Sequence, residues 1–469
     1  MMVSEVVDQP IHVWLQMPSC VPSAPGLETP GVEITLDEID KGISIPEIIG
    51  LGEMMNFPEI IQGNPNLHAE INLTQNKKKV VGGHYASENL GLPFHAYIAA
   101  GVDDDHEGTR YEDALFRIRQ GIKVMLRYGS VLHDIADQIR VKTELGIDHR
   151  HLILVTDGDN ANTLVNEGHM DRVVRHAIEQ GLSPIQAIQM VTLNTAEHFG
   201  LSRDIGQIAP GRFADIVLVS NLPRVAVDMV IAKGIIAAIE GKLTLKSKDF
   251  SYPSNVRTSM NVNRQLVSDD FIVFTSSVRP RVFVNVIEVV KNQAATRHLK
   301  LDMEVVESQL RVNMKGDICK IAVVERHHNS GRIQVGFVKG FGFNVPCAIA
   351  STVAHDAHHM VIVGTDEACM AKAANELISS NGGQVVVRND MVEALLELPI
   401  AGLMSDQPVN TVARKTSQVI RATKACGCPF DNPNTQLGYL SLISIPEIRL
   451  SDKGLVDVTQ MKIIPLIEE

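Results

Sequence analysis

The stretches VVGGHYAS (80–87), AAGVDDDHEGT (99–109) and HLILVTDGDN (151–160) decide the fold. In each, a short apolar run ends in a side chain able to bind metal or carry a proton: His84, His106 and Asp157. Upstream, IIGLGEMMNF (48–57) does the same with Glu53. An apolar strand followed at once by His, Glu or Asp is how a (β/α) barrel presents reactive groups at the C-terminal ends of its strands. Single histidines after strands are ordinary caps or packing residues. Four such groups in succession, in the order Glu, His, His, Asp, point instead to a divalent-metal site.

Working outward, YEDALFRIRQGIKVML (111–126) has apolar residues at helical spacing with charges opposite, and reads as a barrel helix. Asp103–Asp105 reads as a solvated turn, the usual fate of a charge run. IHVWLQM (11–17) reads as a strand, and the Pro- and Gly-rich PSCVPSAPGLETPG (18–31) as a loop of the kind that covers an active site. ITLDEIDKGI (34–43) predicts a helix capped by Thr35, with Glu38 as its capping-box partner. His68-Ala69-Glu70 is half of a zinc deaminase signature. Its P-C-x-x-C half is missing, because Pro346-Cys347 is followed by Ala-Ile-Ala. His149-Arg150-His151 precedes its strand and so falls at the wrong end of a barrel.

Beyond Asp157, residues 165–201 predict two helices joined at Gly181-Leu182-Ser183-Pro184, with Ser183 as a cap and Pro184 in the first turn. IGQIAPGRFADIVLVSNL (205–222) and MVIAKGIIAAIEGKL (229–243) read as short strands outside the barrel. Past about Lys248 strand-like runs dominate, and helical composition is confined to Asp366–Ser379. The loop Thr352–His359 gathers His355, Asp356, His358 and His359, either as a ligand site or as a polar loop satisfying its own backbone.

A chain of 469 residues exceeds one ordinary domain. Its net charge of −12 and lack of a basic stripe argue against nucleic acid as a partner. The six cysteines form no metal or disulfide framework and suit reduced thiols in the cytoplasm. No run of about 18 apolar residues suggests a membrane span, and the N-terminus does not read as a signal peptide.

Taken together, GLGEMMNF, GGHYAS, Asp105-His106-Glu107, LVTDGD, NEGHMDRVVRHAIEQG, NTAEHFGL and APGRFADIVLV resemble the amidohydrolase superfamily. More narrowly, with PSCVP, ERHHNSGRIQVGFVKGFGF, ASTVAHDAHH and LPIAGLMSD, the chain resembles the adenine deaminase family over nearly its whole length. The resemblance implies an α/β fold: an incomplete metal-dependent hydrolase (β/α) barrel (1–203), a small β-sandwich portion (204–248) and a C-terminal α+β domain (249–469).

It also implies hydrolytic deamination of adenine to hypoxanthine and ammonia, with manganese(II) or iron(II) in a binuclear centre. Glu53, His84, His106 and Asp157 resemble the metal ligands, with Glu53 bridging and Asp157 exchanging the proton of the attacking water. Glu107, Arg127, Ser130, His355, Asp356 and His358 are the expected substrate contacts. The chain departs from the family in lacking the H-x-H of the first strand, and it carries Gly158, Tyr128 and His359 where the family has other residues. This departure implies an N-terminally truncated barrel, a homodimer or a separate N-terminal partner chain. The alternative expectation is an inactive amidohydrolase-like fragment or purine-binding protein, or an enzyme acting on another cyclic amidine.

Overall fold

The computed structural model describes residues 1–7, 9–246, 250–291 and 293–468. The chain forms two compact units: Met1–Val21 with Ile34–Ser251, and Pro22–Glu33 with Tyr252–Glu469. The expected boundary near Lys248 lies outside the described residues.

The first unit is built on parallel strands. Strands β1 (Leu15–Met17), β2 (Ile48–Met54) and β3 (Val80–Gly83) pair in that order, as do β4 (Asp104–Asp105), β5 (Lys123–Arg127) and β6 (Leu152–Val155). The two sets meet where Asp103 N donates to Val81 O and Asp103 Oδ2 accepts from Val81 N. Here the backbones come very close. A Cβ on Gly83 would stand 2.1 Å from the carbonyl oxygen of Asp104, so only glycine fits.

Helices follow the strands as the (β/α) pattern requires. Leu36–Ile43 begins with the expected capping box, Thr35 and Glu38 satisfying each other's backbone N–H groups. Ser183 caps Pro184–Val191. One expectation fails: the helix read over 111–126 ends at Arg119, and the rest of the run is β5. Gly121, at φ +90°, breaks the helix in the left-handed conformation, and the apolar run beyond it enters the sheet. Apolar side chains of β1–β3 and β4–β6 fill two cores, the first around Leu51, Val81, Phe94 and Tyr97, the second around Leu126, Leu154 and Val173.

After the barrel-type strands, β7 (Ile216–Asn221), β8 (Ala226–Ala232), β9 (Ile235–Ile239) and β10 (Lys242–Leu243) form one antiparallel sheet. Val217, Leu218, Ile235, Ile236 and Leu243 on this sheet are exposed. The chain's N-terminal segment is tied to its start. His12 pairs with Asp215 at 2.7 Å, stacks on Trp14 at a centroid distance of 5.4 Å and tilts against Phe213.

The second unit is an eleven-stranded, mostly antiparallel sheet with a helix on either face. Strand 318–324 shows why. Ile321 and Val323 enter the core beneath helix Val409–Ala425, while Ala322 and Val324 enter the one beneath Glu367–Ser379. The Val409–Ala425 helix is a second correction, since helical composition had been confined to Asp366–Ser379. Its β-branched Val and Thr residues hide the helical period, and tertiary burial of Ala413, Thr416, Val419 and Thr423 decides the outcome. The loop 22–33, read from sequence with the barrel, belongs to this unit. Thr29 N donates to Asp452, and His328 Nε2 donates to the carbonyl of Pro30.

Gly83→Ala is expected to destabilise the first unit by about 1–3 kcal/mol, seen as a lower midpoint in urea titration. An unchanged midpoint would mean that β3 and β4 separate freely.

Candidate active site and metal centre

The strand ends converge. His84 Nδ1 lies 3.0 Å from Glu53 Oε2 and 3.3 Å from His106 Nε2, and His106 Nε2 lies 3.6 Å from the same Glu53 oxygen. Donor atoms on one cation, bonded at about 2.1 Å, stand roughly 3.0–3.4 Å apart. The three residues therefore fit a divalent ion, and their mixed nitrogen and oxygen donors suit a first-row metal. A second group that could hold an ion, His106, Glu107 and Asp157, shares His106 with the first.

Each donor is aimed by a specific support. The backbone N–H of His84 donates to Tyr97 Oη, which donates in turn to Met54 O. Asp105, fully buried, accepts from the N–H of Tyr85 and that of Glu107, and so fixes the residues next to both histidines. Arg117 Nε closes the arrangement at 2.8 Å from Asp105. Asp104 is buried against His198 at 2.6 Å. Asp104 and Asp105 are thus structural groups of the site rather than the solvated turn expected of them. Asp157 follows β6 in the left-handed region, at φ +66°, a conformation aspartate tolerates better than most residues and one often found at functional sites.

Glu107, expected at the substrate, lies 3.6 Å from His84 and 3.5 Å from His106. Arg127 Nη1 donates to it at 2.6 Å and to Asp157 at 3.0 Å. The other side of the same guanidinium is held by Asp134. Sequence reading missed Asp134, though it lies only seven residues beyond Arg127. Burial alone would raise the Glu107 pKa, but Arg127, His84 and His106 outweigh it and hold the carboxyl down at about 2. Burial opposes charge on His84 too, yet Glu107, Glu53 and Asp105 push its pKa up to about 10. The pocket thus concentrates negative charge, the condition under which a cation is held.

The Ser130 hydroxyl lies 3.2 Å from Asp159 Oδ1 and 2.8 Å from Thr163 Oγ1 and accepts from Asn160 N, latching the loop after β6. His355, Asp356 and His358 belong to the second unit. There Ala357 O, in the loop that carries them, accepts from His327 Nε2 at 2.6 Å, and Glu325 accepts from the N–H groups of His327, His328 and Ser330 in a separate turn.

Comparison with known proteins bears on the family. The amidohydrolase family matches residues 8–237, and the adenine deaminase C-terminal domain matches 293–462. Adenine deaminase of Mesorhizobium japonicum is 48% identical over 99% of this chain and 77% of its own length. That of Roseobacter denitrificans is 49% identical over the whole chain and 78% of its own length. That of Moorella thermoacetica is 45% identical over the whole chain and 78% of its own length.

The chain belongs to the adenine deaminase family.

Its parallel strands are those of the amidohydrolase (β/α) barrel, and the amidohydrolase match implies a divalent metal, which the Glu53, His84 and His106 donors fit. Nothing in the adenine deaminase relatives supports the inactive alternative. Among the described residues of this family member, no helix is long and apolar enough to cross a membrane.

Two predictions concern the supports. Asp105→Ala leaves Arg117 buried without its partner and is expected to cost about 3–5 kcal/mol in denaturant titration. A loss below about 1 kcal/mol would show that the pair is dispensable. The depressed Glu107 pKa predicts acid sensitivity. Its contribution is present above the ordinary value of 4.5 and is lost as pH falls toward about 2. Glu107→Gln should flatten the stability profile in that window, whereas an unaltered acid transition would place the loss elsewhere.

Proposed function

We propose that this chain catalyses hydrolytic deamination of adenine: adenine and water give hypoxanthine and ammonia. The observation that carries the reading is the convergence of Glu53, His84 and His106 beside Asp157, in a chain of the adenine deaminase family. Glu53, His84 and His106 would hold the divalent ion, manganese(II) or iron(II) being the metals suited to their donor set. When bound, such a cation lowers the pKa of water toward neutrality and so supplies a nucleophile at ordinary pH.

The protein's own groups do the rest. Asp157, 30% exposed at its side chain, is the carboxylate open enough to take the proton as water attacks C6 of the purine. It returns that proton to the exocyclic nitrogen, which leaves as ammonia. Arg127 holds Asp157 in place from the inner side. Hydrolysis breaks the C6–N bond and forms C6–O, with the ring left as the lactam of hypoxanthine. His355, Asp356 and His358 take no part in this proposal. The six free cysteines, all buried, suit purine salvage in a reducing cytoplasm.

The test is ammonia release from adenine by protein reconstituted with manganese(II) or iron(II), beside the Asp157→Asn variant. Turnover by the parent and a loss of at least roughly 10³-fold in a normally folded variant are expected. Full activity in Asp157→Asn would remove that residue from the proton transfer, and ammonia release from other cyclic amidines but not from adenine would overturn the substrate.

A further inference from the structure

We propose that Arg172, on the helix Met170–Glu179, is a positioning residue for Asp157: it clamps together the two turns that follow β5 and β6, and so fixes where that carboxylate stands. The inference rests on Asp157 as the proton carrier of the deamination reading. Asp157 needs such a hold. Its backbone sits at φ +66°, and a non-glycine residue stays in the left-handed region only where its surroundings over-determine it.

The neighbouring turn supplies the constraint. Tyr128 N donates to Val155 O at 3.0 Å and Ser130 N to Gly158 O at 2.9 Å, so residues 128–130 hold the chain on either side of Asp157. Asn160 N donates to the Ser130 hydroxyl at 2.9 Å. The two backbones come so close that a Cβ on Gly129 would stand 2.4 Å from Thr156 O and 2.7 Å from Gly158 O. Whatever fixes residues 128–130 therefore fixes Asp157.

Arg172 grips both turns at once. On one it donates to Tyr128 O at 3.0 Å and to Gly129 O at 3.3 Å, and its guanidinium carbon lies 4.6 Å from the Tyr128 ring centroid. On the other it donates to Asp159 Oδ1 at 2.9 Å. The arginine is buried, which is tolerable because Asp159 pairs with it and carbonyl oxygens take further N–H groups. Its helix does not depend on it for a seat, since Val173, Val174 and Ala177 pack that helix into the core of Leu126 and Leu154. Tyr128 and Gly129 directly follow Arg127, so the same grip steadies the guanidinium that holds the Asp157 carboxylate.

The experiment uses the full chain loaded with manganese(II). It measures kcat and KM for adenine, bound metal per chain, and backbone hydrogen exchange by mass spectrometry, in the parent, Arg172→Met, Arg172→Lys and Asp159→Asn. Arg172→Met is expected to lose roughly 10–100-fold in kcat, the scale on which a small misplacement of a reacting group is felt. Its KM and bound metal should stay unchanged, with faster exchange confined to residues 128–130 and 156–160. Arg172→Lys, which keeps the charge, should recover part of kcat. Asp159→Asn should lower kcat without moving KM, and it decides the matter alone if Arg172→Met does not fold. Unchanged kcat, or a loss matched by lost metal or by faster exchange throughout the first unit, would overturn the positioning role. No turnover in the metal-loaded parent would overturn the deamination reading instead, and unchanged exchange at 156–160 in Arg172→Met would then overturn the clamp by itself.

Discussion

The ion pair of Asp105 and Arg117, buried at the C-terminal edge of β4, is the constraint on which the site depends. Both side chains are essentially inaccessible. A carboxylate so buried is tolerable only when its lone pairs are taken up, and here they are met by Arg117 and by the N–H groups of Tyr85 and Glu107. One buried charge thus fixes the backbone beside His84 and beside His106 at once. The two imidazoles come within 3.3 Å because their neighbours share this anchor. The second unit uses the same device: Glu325 gathers the N–H groups of His327, His328 and Ser330, and its carboxyl is held down at about 2 by these hydrogen bonds against the opposing effect of burial.

Much of this was legible in the sequence, and the parts that were not share a cause. Glu53, His84, His106 and Asp157 are announced by apolar runs that end in them, because strand and ligand are adjacent in the chain. The caps at Thr35 and Ser183 are equally local. What escaped depends on contacts remote in sequence or on competition between elements. Asp105 reads as a polar turn until Arg117 and Tyr85 are brought to it. Strand β5 is hidden in a helical pattern because only Gly121 marks the change. The Val409–Ala425 helix carries β-branched residues that favour the opposite assignment. Asp134 has no signature at all, since its importance comes entirely from Arg127.

Charge sorting explains how one pocket can serve both binding and proton transfer. Glu107 and Arg127 are almost wholly enclosed, whereas the side chains of Glu53 and Asp157 are 48% and 30% exposed. The enclosed pair sets the local field and has little freedom to move. The open carboxylates meet solvent and ligand. This division follows from the strand order: β5, carrying Arg127, lies between β4 and β6 and presents its charge from the inside.

The stacking of Trp14 on His12 has an optical consequence. Trp14 is the chain's single tryptophan, and it belongs to the first unit. Indole emission therefore reports the surroundings of the N-terminal segment and of the β7 entrance, while the eleven-stranded sheet is silent at that wavelength. Ellipticity in the far ultraviolet sees both units. A melt followed by the two signals together separates the loosening of one unit from the collapse of the other without any label.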